Sequence, residues 1–154
     1  MVNAKEQNTQ KYENYREQFK RLNKAMNSNF YLEAMFISYA IMEDRTESIL
    51  RHAGKWEAYL KYRKGREPNI GTKVNYIIKQ AEQKKTLLYK YFADNLLGEV
   101  LEWKDERNRM IHALMKQTLS TEELEELAIE GKTLARTLAN RSTSFSRAIE
   151  KNNV

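Results

Sequence analysis

The chain has 154 residues, with 27 Lys and Arg against 21 Asp and Glu, so its formal net charge is +6. This length predicts a single domain over 1–154, and the absence of cysteine excludes disulfides, zinc–thiolate sites and thiol nucleophiles. The positive charge favours a polyanion such as RNA or DNA as partner, although many small helical proteins are equally basic and bind no anion.

Apolar periodicity predicts two long helices in the first part of the chain. The N-terminus is too polar for a signal peptide. In the first helix, over about 4–26, apolar residues at three- and four-residue intervals form a narrow stripe: Tyr12, Tyr15, Phe19, Leu22 and Met26. The second, over about 29–53, is apolar nearly all round in its first half, so we expect it at the centre, with Gly54 as its C-terminal cap. Its apolar run over 34–42 is about half the length of a membrane span, and we expect a soluble cytoplasmic protein that does not enter a membrane.

Turn and capping signals divide the rest of the chain. A short helix beginning near residue 55 is broken by the sequence GREPNIG. Thr72 is a suitable N-cap for the next helix, and a longer helix is predicted over about 91–118. Ser120 and Glu123 fit a capping box before the last helix, which extends to about 149. This helix buries one apolar face: Leu124, Leu127, Leu134, Leu138 and Phe145. The prediction is an all-α, up-and-down bundle of about five helices.

The segment ERNRMIHAL, at 106–114, contains the residues with the clearest chemical potential. On a helix Asn108 lies one turn before His112, whereas Arg107 lies about 140° around the axis. A histidine can transfer a proton at a ribose 2′-hydroxyl, and a guanidinium can bind the phosphoryl oxygens of a transition state. Arginines are frequent in this chain, so an Arg four to six residues before a His also arises by chance. Arg45 and His52 form a similar pair, without the asparagine. For Arg107 and His112 the alternative interpretation is a non-catalytic pair at an interface or on the surface, with its hydrogen bonds satisfied.

The sequence RNRMIH, on a late helix after the aromatic and apolar segment LLGEVLEW, resembles the motif of the HEPN superfamily (higher eukaryotes and prokaryotes nucleotide-binding). That motif is an Arg, four to six residues and a His, commonly with Asn, Asp or His directly after the Arg. The resemblance implies a HEPN-like fold and a metal-independent endoribonuclease, built as a homodimer with its two motifs meeting across the two-fold axis. It implies catalytic roles for Arg107 and His112, with Asn108 assisting.

The resemblance also implies a biological setting, since many such proteins are toxins or act in defence against phages. An antitoxin or a component of a defence system is therefore a candidate partner. Members paired with a nucleotidyltransferase antitoxin carry a Tyr two residues after the His. Here that position is Leu114, so regulation by nucleotide transfer onto this motif is not expected.

Other polar residues are candidates for supporting roles. Glu43 and Asp44, after the apolar half of the second helix, are auxiliary candidates that could orient the motif, although pairing with nearby cations on a solvated flank is the favoured interpretation. Two basic and aromatic segments are candidates for RNA binding, with aromatic rings that could stack on bases or pack on the bundle. Their cations are Lys61, Arg63, Lys64, Arg66, Lys84 and Lys85. His52 is expected to be structural, and no metal or other cofactor is predicted.

Two further classes of function fit the same residues. One is a non-catalytic HEPN-like helical module that dimerises and binds RNA or a protein. The other is an accessory subunit of a larger assembly, which would bind through the apolar stripe of the first helix if that stripe were exposed.

Overall fold

The computed structural model describes residues 3–152, which form seven α-helices and, within that range, no strand. The helices are α1 (Ala4–Asn27), α2 (Tyr31–His52), α3 (Trp56–Arg63), α4 (Ile70–Gln80), α5 (Leu87–Phe92), α6 (Leu96–Ala113) and α7 (Thr121–Asn152). The all-α prediction is confirmed, with seven helices instead of about five. No helix in this part of the chain has the length and apolar character needed to cross a membrane.

The helix predicted over 91–118 is divided into α5 and α6, and α6 ends earlier than expected, at Ala113. The break between α5 and α6 is stabilised by a residue of another helix. Arg141 of α7 donates from Nη1 to the carbonyl oxygen of Tyr91 at 3.0 Å and to the carboxylate of Asp94 at 2.6 Å. Asp and Asn side chains compete for nearby backbone groups, which favours an interruption at this point.

The predicted helix caps are confirmed at two positions and wrong at a third. Gly54 follows α2 with φ +68°, the left-handed conformation that glycine adopts without strain. Ser120 and Glu123 form the reciprocal capping box, with both hydrogen bonds at 3.1 Å. At α4 the N-cap is Asn69, whose Oδ1 accepts the Thr72 N–H at 2.9 Å, so Thr72 is the third residue inside the helix and not its cap.

The central contact of the bundle is between α2 and α7, which form the most extensive helix–helix interface. They run in the same direction. Arg45 of α2 lines one groove with Arg136 of α7, so these parts of the two helices lie together. Farther along both helices, Ala53 lines one small cavity with Phe145 and Ile149. The first half of α2 is buried on the side that faces the bundle, but not all round as its apolar character predicted, since Leu32 is 41% and Phe36 67% exposed.

Helix α1 packs antiparallel against α2 through its apolar stripe. Leu22 is fully buried, and Tyr15, Phe19 and Met26 pack partly buried against the core. Only the end of the stripe is open, where Tyr12 is 68% exposed. Most of the stripe is therefore used within the chain and does not form a free surface for an assembly partner.

Helix α6 is fixed against α7 by a close contact between Trp103 and Gly131. The Trp103 indole is 1% exposed and donates from Nε1 to the carbonyl oxygen of Leu127 at 2.8 Å. A Cβ atom at Gly131 would lie 2.4 Å from the indole Cζ2. Glycine thus allows the ring to lie directly on the helix backbone, which sets the position of α6 and of the residues that follow Trp103.

Candidate functional site

Arg107 lies on α6 with its guanidinium held against α2. The guanidinium carbon lies 4.3 Å from the centre of the Tyr39 ring, a cation–π contact. Nη1 donates to Asn108 Oδ1 at 3.1 Å. Nε is buried and has no hydrogen-bond partner among residues 3–152. The side chain is therefore oriented by an aromatic ring and an amide, while part of its hydrogen-bonding capacity is unused.

The charge of Arg107 is not balanced by a carboxylate. No ion pair involves this residue within the described range. Burial lowers the pKa of Arg107, and the only favourable electrostatic contribution is that of Tyr39. Arginine stays protonated in proteins, so Arg107 remains a half-buried cation at this position.

His112 is exposed in the last turn of α6, and its ring makes no hydrogen bond to another residue within 3–152. The structure does not bring it to Arg107 in one chain, because five residues on a helix separate their directions by about 140°. Asn108 is half-buried and lies one turn before His112, and its amide oxygen is bonded to the Arg107 guanidinium. The three motif residues therefore lie on neighbouring faces of α6 without forming one pocket.

Exposed apolar side chains lie next to the motif. Ile111 precedes His112 directly and is 39% exposed, and Met115 just beyond α6 is 95% exposed. On α2, Phe36 is 67% exposed one turn before Tyr39. Large exposed apolar groups are common singly but are typical of interaction surfaces when they occur together.

The two auxiliary carboxylates lie in different surroundings. Glu43 lies on the side of α2 that carries Tyr39, the residue in contact with Arg107. Burial, and after it the charge of Glu43, raise the pKa of Tyr39. The carbonyl oxygen of Glu43 accepts a hydrogen bond from Lys73 Nζ at 2.6 Å. Asp44 faces α1 instead, where its carboxylate is bonded to Tyr15, and its auxiliary role stays a prediction.

Asp44 belongs to a cluster with Tyr15 and Arg45. It accepts a hydrogen bond from the Tyr15 hydroxyl and another from Arg45 Nη2 at 3.1 Å, and Lys11 lies 3.7 Å away. Burial acts to raise the pKa of Asp44, but the Tyr15 hydrogen bond and the two cations outweigh it, so the pKa lies below its usual value. This agrees with the alternative interpretation of Asp44 as a paired carboxylate.

Two of the three aromatic residues in the segment after α2, Trp56 and Tyr59, pack on the bundle, whereas Tyr62 is 59% exposed. Tyr59 is fully buried, bonds the Thr72 hydroxyl at 2.8 Å and stacks with Trp56 at a centroid distance of 5.4 Å. They are therefore not free to stack on bases, as expected in one of the two interpretations. His52 is exposed and its Nδ1 lies 2.8 Å from the Ser48 carbonyl oxygen, a local contact that agrees with a structural role.

Five of the six predicted RNA-binding cations are exposed. They are Lys61, Lys64, Arg66, Lys84 and Lys85. Arg63 differs, because it is only 9% exposed and donates from Nη2 to the Glu67 carbonyl oxygen at 3.0 Å. This contact stabilises the turn after α3, and the role of Arg63 in RNA binding stays a prediction.

The structure adds Tyr39 to the site, a residue that the sequence did not single out. It lies in the apolar run of α2, where a tyrosine has no distinguishing pattern, and only the packing of α2 beside α6 places it under Arg107. Within residues 3–152, no three side chains of His, Asp or Glu come together in an arrangement that could hold a metal ion.

No protein-family model matches the chain, and no curated protein or solved structure matches it either.

Proposed function

We propose that the protein is a metal-independent endoribonuclease that acts as a two-fold symmetric homodimer, in the manner of HEPN-like toxins or phage-defence effectors. The observation that carries the proposal is Arg107: a half-buried guanidinium, oriented by Tyr39 and Asn108, with no carboxylate partner in residues 3–152. Such a group is suited to bind a phosphate, since paired N–H donors match phosphoryl oxygens. An RNA phosphodiester would supply the missing negative charge.

A second copy of the chain would complete the site. One chain separates His112 from Arg107, but an isologous interface places each residue near its counterpart in the other copy. The exposed Ile111 and Met115 beside the motif supply apolar area for such a contact. The proposed dimer therefore uses the C-terminal end of α6 and not the stripe of α1.

The proposed reaction is attack of a ribose 2′-hydroxyl on the adjacent phosphorus. The O2′–P bond forms and the P–O5′ bond breaks, leaving a 2′,3′-cyclic phosphate and a 5′-hydroxyl. His112 accepts the proton of the attacking hydroxyl, and the partner's His112 in its protonated form supplies the proton to the leaving oxygen. Arg107 binds the non-bridging oxygens, on which charge increases in the transition state. Glu43 and the exposed cations around Lys61 and Lys84 keep their predicted supporting roles.

The test is incubation of the purified protein with mixed RNAs in the presence of a chelator. We expect cleavage with cyclic phosphate and 5′-hydroxyl ends, and a loss of about 10²–10⁴-fold in rate for His112→Ala. Arg107→Lys should also be impaired, because an ammonium cannot reproduce paired guanidinium contacts. His52→Ala is the matched control, since it removes the other histidine of the chain. Products with 5′-phosphate ends, or full activity in His112→Ala, would refute the mechanism.

The dimer is tested separately by sedimentation at micromolar concentration. Wild type should sediment as a dimer, and Met115→Glu should shift it toward monomer because a charge would be introduced into the proposed apolar contact. A wild-type protein that cleaves RNA as a monomer would contradict the shared site.

A non-catalytic module that dimerises and binds RNA is the second candidate. The observation in its favour is the exposed His112, whose ring makes no hydrogen bond within residues 3–152 that would orient it. RNA binding without RNA loss in the chelator assay would support this candidate.

A further inference from the structure

A basic groove lies between α1 and α7, on the side of the molecule that contains Arg45 and apart from the residues of the motif. Its volume is about 580 Å³. Five cations line it, and none of the described residues in its lining is acidic. They are Lys11, Arg16, Lys20, Arg45 and Arg136. Asp44 pairs with Lys11 and Arg45 from beyond the edge of the groove, which leaves a clear excess of positive charge.

Two of these cations have fixed positions on the floor of the groove. The Arg45 guanidinium lies 4.1 Å from the centre of the Tyr15 ring, and the Arg136 guanidinium lies 4.6 Å from the centre of the Phe19 ring. Tyr15 and Phe19 are one turn apart on α1, a rise of about 6 Å. Stacking removes side-chain freedom before any ligand arrives, so less entropy is lost on binding.

We propose that this groove binds a single-stranded RNA segment along α1. The groove follows α1 from Asn8 to Asn23, a length of about 22 Å at 1.5 Å per residue. That length accommodates about six nucleotides at the 3.4 Å rise of a stacked strand. Cations along the groove contact the phosphates, and the exposed ring of Tyr12 at the same wall stacks on a base.

The exposed aromatic ring beside the cations favours RNA over an acidic protein segment. Tyr12 is 68% exposed and lines the groove together with the five cations. Nucleotide bases stack on such a ring, whereas Asp and Glu side chains offer no aromatic face. Asn140 and Thr143 add neutral polar groups on the α7 wall.

A second copy of this chain is a poor occupant. An isologous contact through the groove would place its cations opposite the same cations of the other copy, and like charges at close range oppose association. The groove is thus suited to a polyanion, and it does not compete with the dimer proposed at α6.

This inference rests on the RNA-binding part of the proposed function and not on cleavage. The test therefore uses a fluorescent 12-nucleotide RNA with 2′-O-methyl groups throughout, which has no 2′-hydroxyl for attack. Binding is followed by fluorescence anisotropy over a series of salt concentrations. A poly-glutamate peptide of the same length serves as the acidic protein probe.

The test variant is Arg16→Glu with Lys20→Glu, and the matched control is Arg21→Glu with Lys24→Glu. Both pairs are exposed on α1 and change the net charge equally, but only the first pair lines the groove. We expect the test variant to lose at least 10-fold in RNA affinity and to reduce the log–log salt slope by about 1.4, the value for two phosphate contacts. The control should stay within about twofold of wild type.

A second, uncharged perturbation keeps the test independent of folding effects. Tyr12→Ala should weaken RNA binding by about fivefold or more through lost stacking, whereas Tyr12→Phe should bind as wild type does. Circular dichroism checks that each variant is folded. Equal losses in both charge variants, no loss in either, absent binding by wild type, or equally tight binding of poly-glutamate would each overturn the proposal. Failure of the cleavage assay alone would leave it intact.

Discussion

Substitution of Gly131 by alanine should destabilise the protein, although alanine is the better helix former. The new Cβ would lie 2.4 Å from Cζ2 and 2.7 Å from Cε2 of Trp103, well inside the ordinary carbon contact distance of about 3.5–4.0 Å. The indole cannot move away easily, since it is 1% exposed and its Nε1 is bonded to the Leu127 carbonyl oxygen.

The two opposing contributions can be compared in size. Overpacking of a buried contact costs about 1–3 kcal/mol, and replacing a helical glycine by alanine gains about 0.5–1 kcal/mol. We expect a net loss of about 1–2 kcal/mol in the free energy of unfolding, which corresponds to a decrease in Tm of about 2–8 °C for a chain of this size. Urea denaturation with a two-state fit measures the first quantity, and a thermal scan measures the second.

The Trp103→Phe variant tests whether the indole causes the effect of Gly131→Ala. The atom nearest to the new methyl group, Cζ2 at 2.4 Å, belongs to the outer ring of the indole, which phenylalanine lacks. In that background Gly131→Ala should be neutral or stabilising, and the double-mutant cycle should show strong coupling. An equal effect of Gly131→Ala in both backgrounds, or stabilisation in wild type, would refute the reasoning.

Two further outcomes follow from the side chains on either side of α2. The lowered pKa of Asp44 means that its contribution to stability is present above the unfolded pKa of about 3.9 and is lost as the pH falls through the folded value, so Asp44→Asn should flatten the acid limb of a pH–stability curve. Tyr39→Ala should lower the rate of RNA cleavage because Arg107 loses its aromatic support, whereas Tyr39→Phe should retain the rate in the same assay.

Apolar spacing along the chain was sufficient to predict the helical class and the approximate bounds of α1, α2 and α7, because burial of one face determines them. It was not sufficient for the interruption between α5 and α6. That break depends on Arg141, which lies 47 residues after its partner Asp94, and no local pattern contains this information. The end of α6 at Ala113 was equally unpredictable, since neither glycine nor proline follows it.

The candidate site shows a similar division. Arg107, Asn108 and His112 were selected by chemistry and spacing alone, and their placement on one helix followed from periodicity. Which residues of the other helices lie beside them did not follow from periodicity. Glu43 and Asp44 are adjacent in sequence but point about 100° apart on α2. The charge of Glu43 acts on Tyr39 and Lys73, whereas Asp44 accepts a hydrogen bond from Tyr15 of α1. Which carboxylate lies near Arg107 depends on the packing of three helices.

The parallel pairing of α2 with α7 has a consequence for the order of folding. During synthesis the α1–α2 hairpin emerges long before α7, although α7 covers the largest part of α2. The nascent chain must therefore hold an apolar helix partly uncovered until the last helix leaves the ribosome, a state prone to aggregation. Contacts between such distant segments also slow folding, because a long loop must close before they form. A fragment ending before residue 121 should accordingly be poorly soluble, whatever the stability of the whole chain.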